Sequence, residues 1–201
     1  MSTRNRTSTE SKSLHVMRPL LVIDDIRSPG RTLLFTMAGI RIEATRFAWM
    51  APITWLVVEF LIAVLDVESG SVVPLIMNTV VYGAALYSAN VLHSLGHIVA
   101  GTMVGAPMDI LLLTSTRDVT LYLTDPLSFP VGVRVGRSLG GPLLNLVAAL
   151  LCFALRTLFG APGLEPFAVV NVGVGLWTLC PIPTMDGWVI WRGLFRGRTG
   201  A

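Results

Sequence analysis

The sequence has 201 residues, of which 53% are hydrophobic and only 13% are charged, and its mean hydropathy is +0.69. Typical soluble domains carry about 25% charged residues, so this composition excludes an ordinary soluble domain and predicts an integral membrane protein. The net charge is +3, but no basic stripe is interleaved with aromatic residues. We therefore expect no nucleic-acid partner.

Four apolar stretches predict an all-α integral membrane protein with about four transmembrane helices. A helix needs about 20 apolar residues, at about 1.5 Å each, to cross the hydrocarbon core. Glu59 is the only charged residue of the first stretch, and Pro181 and Pro183 interrupt the fourth. The predicted spans cover residues 47–65, 72–104, 138–159 and 166–189.

The segment between the second and third spans has a different pattern. Residues 110–123 carry a polar centre between flanks rich in β-forming residues, which predicts a short β-hairpin.

The spans and the polar ends divide the chain into a tail with a juxtamembrane segment, a membrane domain and a short basic tail. Their predicted bounds are 1–34, 35–195 and 196–201.

The distribution of charge predicts the topology. The first 46 residues contain eight Arg or Lys residues, and the last ten contain three arginines. The charged residues of the loops after the first and third spans are all acidic, namely Asp66, Glu68 and Glu165. Segments rich in arginine remain on the cytoplasmic side of a membrane. We therefore predict a multi-pass protein with both termini in the cytoplasm, as an even number of spans requires.

His93 and His97 lie four residues apart in the second predicted span. On a helix this spacing directs both imidazole rings to one face, where two nitrogens can bind one Zn²⁺. Polar side chains are costly in hydrocarbon and are usually functional there, which favours metal binding. The alternative is that both histidines are packed or hydrogen-bonded within a helix bundle.

Asp186 follows the interruption of the fourth span at Pro181 and Pro183. Irregular backbone at membrane depth is tolerated where it is packed in protein or lines a wet cavity. His93 and Asp186 each lie about 20 residues into spans that run in the same direction, so we expect them at similar depth. Two histidines and one carboxylate would form a catalytic type of zinc set with an open fourth position. Alternatively, Asp186 lies at the cytoplasmic surface, solvated or paired with Arg192.

These motifs resemble those of the site-2 protease family of intramembrane zinc metalloproteases. The stretch His93-Ser-Leu-Gly-His97 resembles the first metal motif of the family, and residues 181–187 resemble the second. Residues 140–145, Gly-Gly-Pro-Leu-Leu-Asn, are similar to the segment that opens the third core helix. The resemblance implies a site-2-protease-like core over the membrane domain, with the hairpin at 110–123 associated with the membrane.

The resemblance also implies the roles of individual residues. His93, His97 and Asp186 would bind zinc, and Asn145 and Asn171 would line the site and help to hold the substrate or its oxyanion. The substrate or ligand would be a transmembrane segment of another membrane protein, cut within or near the lipid bilayer.

Two positions depart from the pattern of the family. Its catalytic glutamate, the general base, falls at Ser94, and a second asparagine falls at Thr178. A serine hydroxyl cannot accept a proton at neutral pH as a carboxylate does, and a general base typically contributes about 10²–10⁴-fold to the rate. Glu59 is a candidate substitute base, or a hydrogen-bond partner of a metal-binding histidine. The alternative is a protonated Glu59 packed against a neighbouring helix.

The sequence therefore predicts a site-2-protease-like zinc metalloprotease that is impaired or inactive because Ser94 replaces the general base. The alternative is a non-catalytic pseudoprotease that binds transmembrane segments or metal. A metal or ion transporter is a third hypothesis. It fits less well, because the spans offer few polar residues beyond the site to form a continuous pathway.

Overall fold

A computed structural model of the protein describes residues 30–66 and 72–196. Within this part of the chain, three helices are long and apolar enough to cross a membrane: Ala48–Leu65, Val72–Met103 and Val131–Phe159. Large apolar side chains such as Val57 and Leu61 are exposed on the first of them, as contact with lipid requires. The prediction of a multi-pass membrane protein is confirmed.

The helices are α1 (Ala51–Asp66), α2 (Val72–Met103), α3 (Val131–Phe159), α4 (Glu165–Thr178) and α5 (Asp186–Arg196). Helix α3 is central, because it packs against α2, α4 and α5, and α2 also packs against α1 and α4. Helix α3 starts earlier than the third predicted span. The predicted tails, up to residue 29 and from residue 197, lie outside the described residues.

The fourth predicted span is divided into two helices. Helix α4 ends at Thr178, and α5 begins only at Asp186, so the helix is interrupted around Pro181 and Pro183 as expected. The 14 residues of α4 would extend about 21 Å, which is less than the thickness of the hydrocarbon core of about 30 Å. The count of four spans and the cytoplasmic position of both termini therefore stay predictions.

The hairpin predicted at 110–123 is confirmed, but it is one half of a larger sheet. Strands β3 (Ile110–Leu113) and β4 (Val119–Leu121) are antiparallel. A second hairpin, formed by β1 (Thr32–Met37) and β2 (Ile40–Ala44), adds to it through parallel pairing of β2 with β3. The fold is thus mostly helical with a mixed four-stranded sheet, rather than all-α with one hairpin.

The first hairpin was not predicted, although it is local: Ala38 and Gly39, both with positive φ, form the two-residue turn between β1 and β2. The pairing of β2 with β3 joins segments far apart in the chain, so no local pattern indicates it. The predicted domain boundary at residue 35 falls within β1. The sheet is joined to the helices by an apolar cluster, in which Ile42 and Leu111 of the sheet pack with Ile98 of α2.

Helices α2 and α3 are in backbone contact at Gly96 and Gly140. A Cβ atom added to Gly96 would overlap the carbonyl oxygen of Gly140, and a Cβ atom added to Gly140 would overlap the carbonyl oxygen of Gly96. Only residues without a Cβ atom permit this approach. Because His93 and His97 lie on the same part of α2, the contact sets their distance from α3.

We expect Gly96→Ala to destabilise the protein, by about 1–3 kcal/mol, because overpacking at a tight contact forces the backbones apart. Gly173→Ala is the matched control, since open space surrounds the position that a Cβ atom would take at this residue of α4, and alanine raises the helix propensity. Thermal unfolding in detergent compares the two variants. Equal melting temperatures for both would contradict the proposed contact.

Candidate metal centre

Helix α2 presents His93 and His97 side by side. Their Nε2 atoms are 3.0 Å apart, and the two rings are nearly perpendicular, with an interplanar angle of 82° and centroids 4.7 Å apart. The spacing of four residues accounts for this arrangement, because it places both side chains on one face of the helix. Both rings face the junction of α3 and α5.

Asp186 reaches the two histidines from the first residue of α5. Its Oδ2 atom lies 3.0 Å from Nε2 of His93 and 3.3 Å from Nε2 of His97. The turn that precedes α5 is tight, and a Cβ atom on Gly187 would overlap the carbonyl groups of Leu179 and Cys180. The interruption between α4 and α5 thus carries the carboxylate to the histidine pair.

A hydrogen bond to the His97 ring determines the tautomer of its neutral form, and therefore which ring nitrogen can accept. Its Nδ1 atom lies 3.0 Å from the backbone carbonyl oxygen of Arg137. A carbonyl oxygen only accepts, so Nδ1 carries the hydrogen, and in the neutral ring Nε2 presents a lone pair. A partner of this kind is typical of metal-binding histidines, whose other ring nitrogen is held by a carbonyl or carboxylate group.

The three acceptor atoms fit a tetrahedral metal ion. Zinc binds histidine nitrogen and carboxylate oxygen at about 2.0–2.2 Å, so two ligand atoms of a tetrahedral site are about 3.3 Å apart. The observed separations are 3.0, 3.0 and 3.3 Å. Two imidazoles and one carboxylate leave a fourth position open, as in catalytic zinc sites. His93, His97 and Asp186 could therefore hold Zn²⁺.

The backbone of α3 closes one side of this cluster. A Cβ atom on Gly141 would lie 2.5 Å from Nε2 of His93 and 2.7 Å from Nε2 of His97. Any residue larger than glycine would therefore displace the rings. The Gly-Gly pair of α3 thus contributes to the site by leaving space for it.

The cluster opens into a cavity of about 500 Å³. His93, His97 and Asp186 line it together with residues of the β3–β4 hairpin, the start of α3 and α5. Several of the other lining residues are basic, namely Arg117, Arg134, Arg137 and Arg192. The alternative that Asp186 lies at the surface, solvated or paired with Arg192, is not what the structure shows, because its carboxylate faces the two histidines.

Ser94, at the position where the resemblance to the site-2 protease family places a glutamate, has an acidic partner. It is 7% exposed, and its hydroxyl donates a hydrogen bond of 2.7 Å to Oδ2 of Asp118. Burial raises the pKa of Asp118, while the hydrogen bond from Ser94 and the charge of Arg117 act in the opposite direction. Asp118 also lines the cavity. Sequence reasoning missed it, although it lies in the polar centre of the predicted hairpin.

Glu59 is not brought to the site. It is a buried residue of α1, and it is not among the residues that line the cavity. Within the described part of the chain, the carboxylates that line the cavity are those of Asp118 and Asp186.

Asn145 and Asn171 are completely buried, at 0% and 1% exposure. The amide of Asn145 donates hydrogen bonds of 3.0 Å to Oδ1 of Asn171 and to the carbonyl oxygen of Ala89. These bonds connect α2, α3 and α4 behind the cluster. Neither asparagine lines the cavity, so their role in substrate binding stays a prediction. Thr178 donates to carbonyl groups of its own helix.

One pair of buried polar atoms lies next to the cluster. The Nδ1 atom of His93 and the Oδ1 atom of Asn145 are both buried, and neither has a hydrogen-bond partner within the described part of the chain. An Asn145 oxygen that accepted from Nδ1 would direct the Nε2 lone pair of His93 toward a metal ion. This arrangement also fits a zinc ligand.

The sequence matches no protein-family model and no curated protein. Among solved structures, the fold is similar to that of the site-2 protease from Methanocaldococcus jannaschii, with a TM-score of 0.57 and 24% sequence identity. The similarity covers 85% of this chain and 74% of that chain. The chain therefore has a site-2-protease-like fold.

Proposed function

We propose that this protein is a zinc-dependent peptide hydrolase of the site-2-protease type, impaired by Ser94, that acts on transmembrane segments of other membrane proteins. One observation carries the proposal: three acceptor atoms, from His93, His97 and Asp186, converge at distances of 3.0–3.3 Å. A carboxylate buried beside two imidazole nitrogens needs a shared hydrogen or a cation, and one zinc ion would satisfy all three ligand atoms at once. The similarity in fold to a site-2 protease supports the same conclusion.

The residues of this site would bind and orient rather than react covalently. Zinc, when bound, lowers the pKa of a water molecule to about 7 and polarises a peptide carbonyl group. The carbonyl oxygen of Arg137 holds the ring of His97 in place. The cavity of about 500 Å³ is within the range of ordinary ligand pockets, so it can take a short unwound stretch of peptide.

Metal analysis tests the site directly. We expect the purified protein to bind about one zinc ion per chain, and His93→Ala or Asp186→Ala to weaken binding by at least about 10²-fold, because even partners of metal ligands contribute about 10–100-fold. His15→Ala is the control, since His15 is the remaining histidine of the chain. Equal zinc contents in all four proteins would exclude this metal centre.

Gly141→Ala tests the same centre without removing a ligand. Its methyl group would lie 2.5 Å from the His93 ring, so we expect zinc affinity to fall although all three ligands remain. Gly132→Ala, in the same helix but with open space around it, should bind zinc like the wild type. Titration of the metal-free proteins with zinc measures both affinities. Unchanged affinity in Gly141→Ala would mean that the rings do not lie against α3.

The second candidate function is a non-catalytic relative that binds membrane-protein segments. Ser94 is the observation that favours it, because the residue lacks the carboxylate of the usual general base. The two candidates differ in whether the wild-type protein cleaves a substrate at all.

Ser94→Glu distinguishes the candidates. The probe is a single-span reporter protein in liposomes, whose apolar segment contains an Asn-Pro pair that breaks its helix. We expect slow cleavage by the wild type, none by His93→Ala, and faster cleavage by Ser94→Glu, because its carboxylate supplies the usual general base, which contributes about 10²–10⁴-fold relative to a site without one. Cleavage by Ser94→Glu alone would favour the non-catalytic relative, and no cleavage by either protein would contradict the proposed protease.

A further inference from the structure

The carboxylate of Asp118 lies about as far from Oγ of Ser94 as a glutamate carboxylate lies from its own Cγ. In glutamate, Cγ is bonded to Cβ, as Oγ is in serine, and each carboxylate oxygen lies about 2.4 Å from Cγ by standard bond lengths. Oδ2 of Asp118 lies 2.7 Å from Oγ of Ser94. Together, Ser94 and Asp118 thus extend a carboxylate about as far from α2 as one glutamate side chain would.

Asp118 also faces the correct space. It lines the cavity together with Ser94 and the three residues of the metal cluster. Of the two carboxylates among the described cavity-lining residues, Asp186 contacts both histidines. Asp118 is therefore the carboxylate of this cavity that lies outside the metal cluster.

The loop that carries Asp118 is held in a fixed shape. Thr114, which is fully buried, donates to the carbonyl oxygen of Arg117 and accepts from its backbone N–H group. Thr54 of α1 donates a hydrogen bond of 2.8 Å to the carbonyl oxygen of Ser115. These bonds tie the loop to itself and to α1, so the carboxylate is positioned before any substrate binds. A catalytic group positioned in this way needs little reorganisation during the reaction.

We propose that Asp118 is the general base of this site and that Ser94 is a positioning residue, which holds the carboxylate in place of the missing glutamate. This inference rests on the proposed function, peptide hydrolysis at the metal centre. An ionised carboxylate has about four lone-pair sites, so the bond from Ser94 leaves acceptor capacity for the attacking water. The raised pKa of Asp118 is favourable for a base that works near neutral pH.

The proposed step transfers one proton and returns it. The oxygen of a water molecule bonds to the carbonyl carbon of the peptide, and one hydrogen of that water passes to the carboxylate of Asp118. The carbon–nitrogen bond then breaks, and the proton passes from Asp118 to the leaving nitrogen. The products are a carboxyl group and an amine, Asp118 is regenerated, and no atom changes its oxidation state.

Asp118→Asn tests the inference in the zinc-loaded full-length protein with the liposome reporter. We expect cleavage to fall by about 10²-fold or more, as for the loss of a general base, while the zinc content per chain stays at the wild-type level. Ser94→Ala should lower cleavage less, because it frees the carboxylate without removing it. The double variant Ser94→Glu/Asp118→Asn should regain at least wild-type cleavage and cleave about as fast as Ser94→Glu, because the glutamate replaces the base. A merely structural role of Asp118 would instead lower cleavage by the same factor in both backgrounds.

Asp109→Asn is the matched control. Asp109 lies beside the same hairpin and accepts a hydrogen bond of 2.7 Å from the backbone of Leu123, and asparagine keeps an acceptor there. We expect its cleavage rate and zinc content to equal those of the wild type. The control separates the loss of a general base from the loss of any negative charge near the sheet.

Several results would overturn the inference while leaving the proposed function intact. These are cleavage by Asp118→Asn at the wild-type rate, loss of zinc from that variant, or failure of the double variant to regain cleavage. Cleavage by Ser94→Glu but not by the wild type would overturn the inference and would also favour the non-catalytic relative over the proposed function. If neither the wild type nor Ser94→Glu cleaves the reporter, the proposed function fails together with the inference.

Discussion

The contact between α2 and α3 at Gly96 and Gly140 is the constraint on which the rest of the structure depends. Two helices whose contact residues carry side chains are separated by the thickness of those side chains, typically about 8–10 Å between axes. Here both residues lack a Cβ atom and the backbones touch. The approach places Gly141 against the imidazole rings and brings the carbonyl oxygen of Arg137 to His97. A single packing contact therefore determines both the space around the histidines and the orientation of one of them.

The cluster beside that contact combines groups that would be costly to bury together without a shared hydrogen or positive charge. Two imidazole nitrogens and a carboxylate oxygen face one another at 3.0–3.3 Å. Burial of such groups is costly unless a proton or a metal ion compensates for it. Asp186 gains a further contribution from its place in the first turn of α5, where the helix dipole stabilises negative charge. The interruption after α4 thus supplies both the carboxylate and the helix end that supports it.

The hairpin of β3 and β4 adds a second acidic side chain, that of Asp118, to the cavity. This residue comes from a segment outside the helices. Strands β3 and β4 carry a loop that meets α2 at Ser94, where the serine hydroxyl donates a hydrogen bond to the carboxylate of the loop. Loss of a carboxylate from a helix is compatible with retained chemistry if another segment of the fold restores the group in the same cavity. The four-stranded sheet then has a role beyond packing, because it carries this loop to the cavity that His93, His97 and Asp186 line.

The sequence alone determined the features that depend on local pattern. Hydropathy identified the three helices long enough to cross a membrane, β-forming residues around a polar centre identified the hairpin at 110–123, and residue spacing identified His93, His97 and Asp186 as candidates for one site. Tertiary structure decided what depends on contacts between distant segments: the pairing of β2 with β3, the burial of Asn145 and Asn171 between helices, the position of Glu59 away from the cavity lining, and the meeting of Ser94 with Asp118. No local periodicity encodes these contacts, because each is set by how whole helices and strands approach one another in space.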